Sequence, residues 1–232
     1  SGASWSSSWT SHGASGTDPL SFSALDSALL GPLFASAPMR AVFSDENTIT
    51  AMLRVEAALA RAAARSGLAP PELAAAIEAI EPKTLDAVAL GNATATAGVP
   101  VIPFIAAVRR RLPPELEPHF HAGATTQDIM DTALVLRIRD AARQILTDLD
   151  TVLRDLADLA RTHRATLCVG RTYGQHAAPT TFGFKVAGWA VNLAEAAEPW
   201  LALQSRVLIA SLGGPVGTIA AFGDKGPAVA DA

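Results

Sequence analysis

Cysteine is nearly missing from this chain. Cys168 stands alone among 232 residues, which excludes an internal disulfide framework and suits a reducing, cytoplasmic setting. Basic charge is not in excess either: 18 Lys and Arg face 22 Asp and Glu, and a net charge of -4 speaks against an electrostatic nucleic-acid binder. No apolar run reaches the ~18 residues of a membrane span, so neither nucleic acid nor membrane is expected as a partner. The five histidines, His12, His119, His121, His163 and His176, form no HExxH pattern, and one cysteine cannot complete a CxxC, so no metal is expected. A G-x-S-x-G elbow is absent, and the glycines fit neither GxxxxGK[ST] nor a GxGxxG behind a strand. Cys168 lies in no recognisable nucleophile motif and reads as a small, buried or half-buried residue.

What is present is a globular composition, 50% hydrophobic and 17% charged, in a chain long enough for one substantial core or two modest ones. The opening "SGASWSSSWTSHGASGTDP" has neither a basic n-region nor an apolar h-region. It reads as a flexible tail, with His12 solvated.

From Ser44 onward nearly every signal is helical, and no strand run is evident. Ser44 is an N-cap, Asp45 and Glu46 suit the first turn, and Gly67 can close the helix. Ile49, Met52, Leu53, Ala57 and Ala60 mark its buried stripe. Pro70-Pro71 pre-sets a second helix to about Ile80, a weaker one spans about Leu85 to Ala95, and Pro103 opens another that runs to Leu112. Then the character changes. Val135, Ile138, Ala142, Ile145, Leu149, Val152, Leu156 and Leu159 alternate in steps of three and four, the seam of a bundle helix from Thr126 to His163. A second long helix repeats the pattern through Phe182, Val186, Trp189, Leu193, Ala196, Trp200, Leu203 and Val207. It carries four charges, Lys185, Glu195, Glu198 and Arg206, where the first carries twelve. A helix that apolar implies a subunit interface, and Pro199 should kink or split it. The expected organisation is a tail over 1–18, a helical lobe over 19–124 and the first part of a long-helix bundle over 125–232. The class is all-α.

Two polar clusters interrupt the helices. In "HFHAGATTQDIMDT", Thr125 and Asp128 have the spacing of a capping box, which by itself accounts for them structurally. The same free N–H groups could receive a carboxylate or phosphate at the positive end of the helix dipole, with His121 and Gln127 as further donors. In "GRTYGQHAAPTT", Arg171, Thr172, Tyr173, Gln175 and His176 crowd a loop before the second long helix, where an arginine can grip a carboxylate through paired hydrogen bonds. Its structural alternative is a loop whose polar groups tie down their own backbone.

"FSDENTITAMLRVEAALARA", "HAGATTQDIMDTAL", "GRTYGQHAAPTTFGFKVAGW" and "SLGGPVGT" occur in the order seen in the fumarase/aspartase superfamily. From about Leu25 onward the chain resembles that superfamily, most of all its 3-carboxy-cis,cis-muconate cycloisomerases, with the adenylosuccinate lyases next. The resemblance implies a homotetramer around a central helix bundle, with sites assembled from three subunits and no metal or organic cofactor. It implies addition or elimination through an aci-carboxylate carbanion. In the cycloisomerases, which serve protocatechuate catabolism in the β-ketoadipate route, a carboxylated diene closes on itself to give a lactone.

Carried over by position, Thr125, Thr126, Gln127, Arg171, Thr172, Tyr173, Gln175 and Lys185 would bind substrate, and His121, Thr126 and His176 would stand nearest the chemistry. Such a dianionic intermediate needs fixed donors around its oxygens. The resemblance is not complete. Tyr173 occupies the place of the purine lyases' histidine acid, where cycloisomerases often carry tryptophan, and Val99 stands where they tend to have asparagine. No GSSxMPxKxNP loop, which bears the family's base serine, occurs in the sequence. The segment 1–232 is accordingly expected to be inactive alone. An adenylosuccinate-type lyase, a sulfonated-muconate enzyme and a non-catalytic helical assembly module are the alternatives.

Overall fold

A computed structural model describes residues 23–25 and 27–232; the tail over 1–18, with His12, lies outside the described residues. The chain divides into two compact units, one through Ala37 and one from Pro38 to Ala232. In the first, the Ser27 hydroxyl accepts the N–H groups of Leu29 and Leu30, and a single 3-10 turn follows over Gly31–Leu33.

The second unit takes in α1 (Ala37–Val42) from its second residue onward, then α2 (Asp45–Arg65), α3 (Glu72–Glu78), α4 (Ala87–Ala97) and α5 (Val101–Arg109). These are followed by α6 (Thr126–Thr162), the strands β1 (Leu167–Thr172) and β2 (Gln175–Thr181), α7 (Phe182–Val207) and α8 (Gly226–Ala230). The helical class expected from the sequence holds.

Local chemistry sets most boundaries. Ser44 caps α2 by accepting the N–H of Asn47 at 3.2 Å, a bond of a kind worth about 1 kcal/mol. At the other end Gly67 turns left-handed, and Leu68 N–H reaches back to Ala63 O at 2.8 Å, the Schellman closure. All five residues of the predicted stripe of α2 are buried, and with Leu73, Ile77, Val101, Phe104, Val108 and Phe120 they form one core. Phe104 and Phe120 are fully enclosed, each contributing about 1.5–3 kcal/mol by leaving water. The alanines of α2 let α6 lie close against it, and Ile129 and Ala133 of α6 complete that core. Arg137 fastens the α1–α2 corner to α6, its Nε donating to Val42 O at 3.2 Å and its guanidinium 5.1 Å from the Phe43 ring centroid.

Three expectations are corrected. The helix expected to open at Pro103 begins at Val101, with Pro100 as its N-cap. Pro103 is tolerated in the first turn because the N–H it lacks would have had no intrahelical acceptor there. Pro199 neither ends nor divides α7, which runs unbroken through it. And the loop after α6 is a β-hairpin, where no strand was expected. Its two-residue connection, Tyr173 and Gly174, has φ of 51° and 73°, the sign pattern of a primed turn that matches strand twist. Both strands are largely exposed, so no alternation of apolar and polar residues announces them.

The long helices are antiparallel neighbours. At one end Gly183 of α7 lies so close to α6 that a Cβ there would stand 2.4 Å from Ala160 O. At the other, Ser211 N–H donates to the Thr132 hydroxyl at 2.9 Å. Only Gly183 and Val186 of α7 are buried within the single chain, and Trp189, Val191, Leu193, Leu201 and Leu203 are open to solvent. On α6, Ile145, Val152 and Leu159, spaced by seven, form a second open stripe.

Candidate active site

The turn entering α6 is held by one carboxylate. Asp128, 4% exposed, accepts the N–H of Thr125 at 2.8 Å and so completes the predicted cap. It also accepts Gly213 N–H at 2.8 Å and Gly214 N–H at 3.0 Å, so the "LGGPVG" loop is tied to the start of α6. Three backbone donors on one enclosed carboxylate form a charge-assisted cluster that fixes both segments. This second role of Asp128 was not read from the sequence, since its partners lie 85 and 86 residues away.

His121 sits just before this turn at a left-handed φ of 58°. Its Nδ1 is 2.6 Å from Oε1 of Glu56, a residue of α2 that is 1% exposed. Oε2 of the same carboxyl is enclosed with no hydrogen-bond partner. Burial pushes the Glu56 carboxyl up from its ordinary value, opposed by the hydrogen bond and charge of His121 and the charge of Arg109. Glu56 was missed at the level of sequence, yet a signal was there. It falls at i+4 from Met52 and i−4 from Ala60, on the buried face of α2, where a carboxylate is not needed for packing.

Gln127 is exposed and its amide donates to Asp131 one turn along, so in the single chain it stabilises its own helix. Thr125 and Thr126 are half-buried at the helix start. The second cluster lies elsewhere. Arg171 and Thr172 end β1, Tyr173 stands at the hairpin tip, and Gln175 and His176 begin β2; all five are exposed. Lys185, in the first turn of α7, is exposed with Nζ 5.7 Å from the Trp189 ring centroid. Val99, half-buried, lies in the short link between α4 and α5.

The 37 residues of α6 separate the two clusters, which at 1.5 Å per residue is roughly 55 Å. One copy of the chain therefore brings His121, Thr125, Thr126 and Gln127 together at one end. It gathers Arg171, Thr172, Tyr173, Gln175, His176 and Lys185 at the other. A cavity of about 620 Å³ lies between α2, α3, α6 and the 210–212 segment, lined by Leu53, Leu59, Ile77, Ile129 and Leu136 among others. None of the donors named from the sequence lines it. Among the described residues no cluster of three or more His, Cys, Asp or Glu is placed to hold a metal ion, and no helix is long and apolar enough to cross a membrane.

Comparison with known proteins adds a further set of findings. A family described as lyase matches residues 34–231. The chain is 44% identical over 202 residues to the nitrosuccinate lyase of Streptomyces davaonensis, an alignment covering 85% of this chain and 42% of that protein. It is 43% identical over 208 residues to the 3-carboxy-cis,cis-muconate cycloisomerase of Pseudomonas aeruginosa, covering 88% and 45%. The crystal structure of the 3-carboxy-cis,cis-muconate lactonizing enzyme from Pseudomonas putida superposes with a TM-score of 0.85 at 42% identity, over 88% of this chain and 47% of that one. The chain spans less than half the length of the curated relatives it matches.

Proposed function

Since this chain belongs to the lyase family of the fumarase/aspartase superfamily, we propose that the full protein is a cofactor-independent enzyme acting on a carboxylated diene, a 3-carboxy-cis,cis-muconate cycloisomerase. One observation carries the reading: identity of 43% to the Pseudomonas aeruginosa cycloisomerase extends over 208 residues, 88% of the chain.

The proposed reaction is an intramolecular addition. A carboxylate oxygen of the substrate forms a C–O bond to a carbon of its own diene. The displaced π pair moves to the carbon beside the neighbouring carboxylate and is held as an aci-carboxylate dianion. Uptake of one proton at that carbon leaves 4-carboxymuconolactone. Little of the barrier concerns bond strength; most of it is the charge gathered on that carboxylate. The first N–H groups of α6 have no intrahelical acceptor, and with the Thr125 and Thr126 hydroxyls and the Gln127 amide they suit those oxygens. Arg171 suits a second carboxylate as a two-point clamp, flanked by Thr172, Gln175 and His176.

These groups can act together only if different copies supply them. A homotetramer, with α6 and α7 of several copies side by side, would cover the open stripe of Ile145, Val152 and Leu159 and the open face of α7. It would also set the hairpin of one copy beside the α6 start of another. Support for this reading is the apolar surface itself: Ile145, Val152 and Leu159 recur at one heptad position of α6, and Trp189, Val191, Leu193, Leu201 and Leu203 of α7 are exposed with them.

A second reading is favoured by the 44% identity to nitrosuccinate lyase: β-elimination from a substituted succinate, through the same kind of intermediate run in the opposite direction. Adenylosuccinate belongs to that substrate class. The full protein, offered 3-carboxymuconate, nitrosuccinate and adenylosuccinate separately, tests both. Loss of the muconate's ultraviolet absorbance with lactone formation supports the first; turnover of a succinate alone replaces it with the second. A folded tetramer that consumes none of them leaves the helical assembly module.

A further inference from the structure

The Glu56–His121 pair is placed where neither packing nor capping calls for it. Glu56 lies on the buried face of α2, 1% exposed, with Oε2 unpartnered. An apolar residue of similar volume would fill the site without that desolvation cost. His121 is held in a backbone conformation that non-glycine residues rarely adopt, immediately ahead of the Thr125–Gln127 donors. A buried carboxyl and a strained histidine turned upon one another by a 2.6 Å contact form a device for holding a ring.

We propose that Glu56 is a positioning residue for His121: its Oε1 receives the hydrogen of Nδ1, which fixes the tautomer and leaves Nε2 as the ring's accepting nitrogen beside the α6 start. The inference rests on the reading above for the reaction served, and adds to it a residue that touches no substrate. A neutral imidazole has one donor and one acceptor nitrogen, and the partner of the first decides which is which. Carboxylates oriented behind a histidine in this way set ring direction and basicity in other kinds of site. At Nε2 such a ring can take a proton from, or return it to, a group bound at the helix start; the hydrogen bond and charge of His121 itself, and then the charge of Arg109 on α5, favour the ionised form of Glu56 against its burial.

The experiment is nitrogen NMR on the 232-residue chain labelled with ¹⁵N-histidine, His121 being assigned by loss of its signals in H121N. The wild-type chain is expected to show His121, when neutral, as one fixed tautomer with Nδ1 protonated. A tautomer mixture at His121 overturns the proposal, and this measurement needs no variant at Glu56. In E56M, which offers Nδ1 no strong acceptor, the single tautomer is expected to give way to a mixture, with helical circular dichroism retained. An unchanged His121 spectrum in a folded variant also overturns it. In the full protein, E56Q is expected to lower kcat at least tenfold with KM within about twofold, E56D recovering part of the loss. If the NMR results hold but no proffered substrate is turned over, the functional reading fails and the positioning role stands.

Discussion

Oδ2 of Asp128 accepts the N–H of Gly214 at 3.0 Å across 86 residues of sequence, while the same carboxyl caps α6. One enclosed carboxylate thereby joins two of the segments by which the superfamily is identified. Replacing it strands the donors of Thr125, Gly213 and Gly214 together. D128A is expected to destabilise the chain by about 3 kcal/mol or more, and D128N, which keeps one acceptor oxygen, by less. Urea unfolding of the two variants against the parent chain decides this; equal losses would mean that the charge and the second oxygen contribute nothing.

Glu56 makes stability depend on pH in a definite sense. Burial raises its folded-state pKa above the ordinary carboxylate value, so between the two values the folded chain holds a proton that the unfolded chain has released. Stability is then fully present below the unfolded value and is lost as pH rises through the folded one. E56Q cannot ionise and should flatten this decline. Thermal or urea unfolding measured from about pH 4 upward is the check, and parallel curves for parent and variant would remove Glu56 as the source.

Gly183 is needed for close approach. A methyl group there would press on the backbone of α6 at Ala160 and on that of Arg164, just past the helix end. G183A is expected to cost about 1–3 kcal/mol by prising α7 from α6 at the hairpin end. A neutral result in urea unfolding would show that the two helices can separate there at no cost.

The open stripe of α6 bears on assembly. I145E combined with V152E places charges at positions that are exposed in the single chain, so its own stability should change by no more than about 0.5 kcal/mol per site. If copies associate through this face, sedimentation velocity will show the full protein as a tetramer and the double variant as smaller species. Tetramers that survive both charges would place the interface elsewhere.

Arg171 is exposed in the single chain, so its loss should leave stability untouched. In the full protein R171A is expected to lower kcat/KM by about 100-fold, a loss of roughly 2.7 kcal/mol in transition-state binding. R171K should recover little, because an ammonium cannot make the paired hydrogen bonds of a guanidinium. Near-complete recovery with lysine would reduce the role of Arg171 to its charge.

Periodicity, caps and breakers were enough to place α2, α6 and α7, but not the short α1 and α8. The α6 helix extends over Thr126–Thr162 against an expectation of Thr126 to His163, and α2 lies between its predicted cap and its predicted glycine. These signals act within a few residues, so a single sequence carries them whole. The hairpin was illegible for the opposite reason. Its strands bury little, and its turn is Tyr-Gly, without the Asn-Gly or Asp-Gly that marks the commonest primed turns. Of the site, residue types and the order of the motifs were legible, and with them the family.

What the sequence determined by itself is therefore local and chemical: which segments coil, which face of each is apolar, and which polar groups gather at the helix ends. What only the tertiary structure decided is which distant groups meet. His121 turns its ring to Glu56, 65 residues earlier in the chain, and Asp128 turns its carboxyl to a loop 85 residues later. The two polar clusters, 44 residues apart from Gln127 to Arg171, are meanwhile held at opposite ends of one helix. Helix spacing is set by bonds along the chain and can be read there. These long-range pairings are set by where buried surfaces and unsatisfied donors find one another in space.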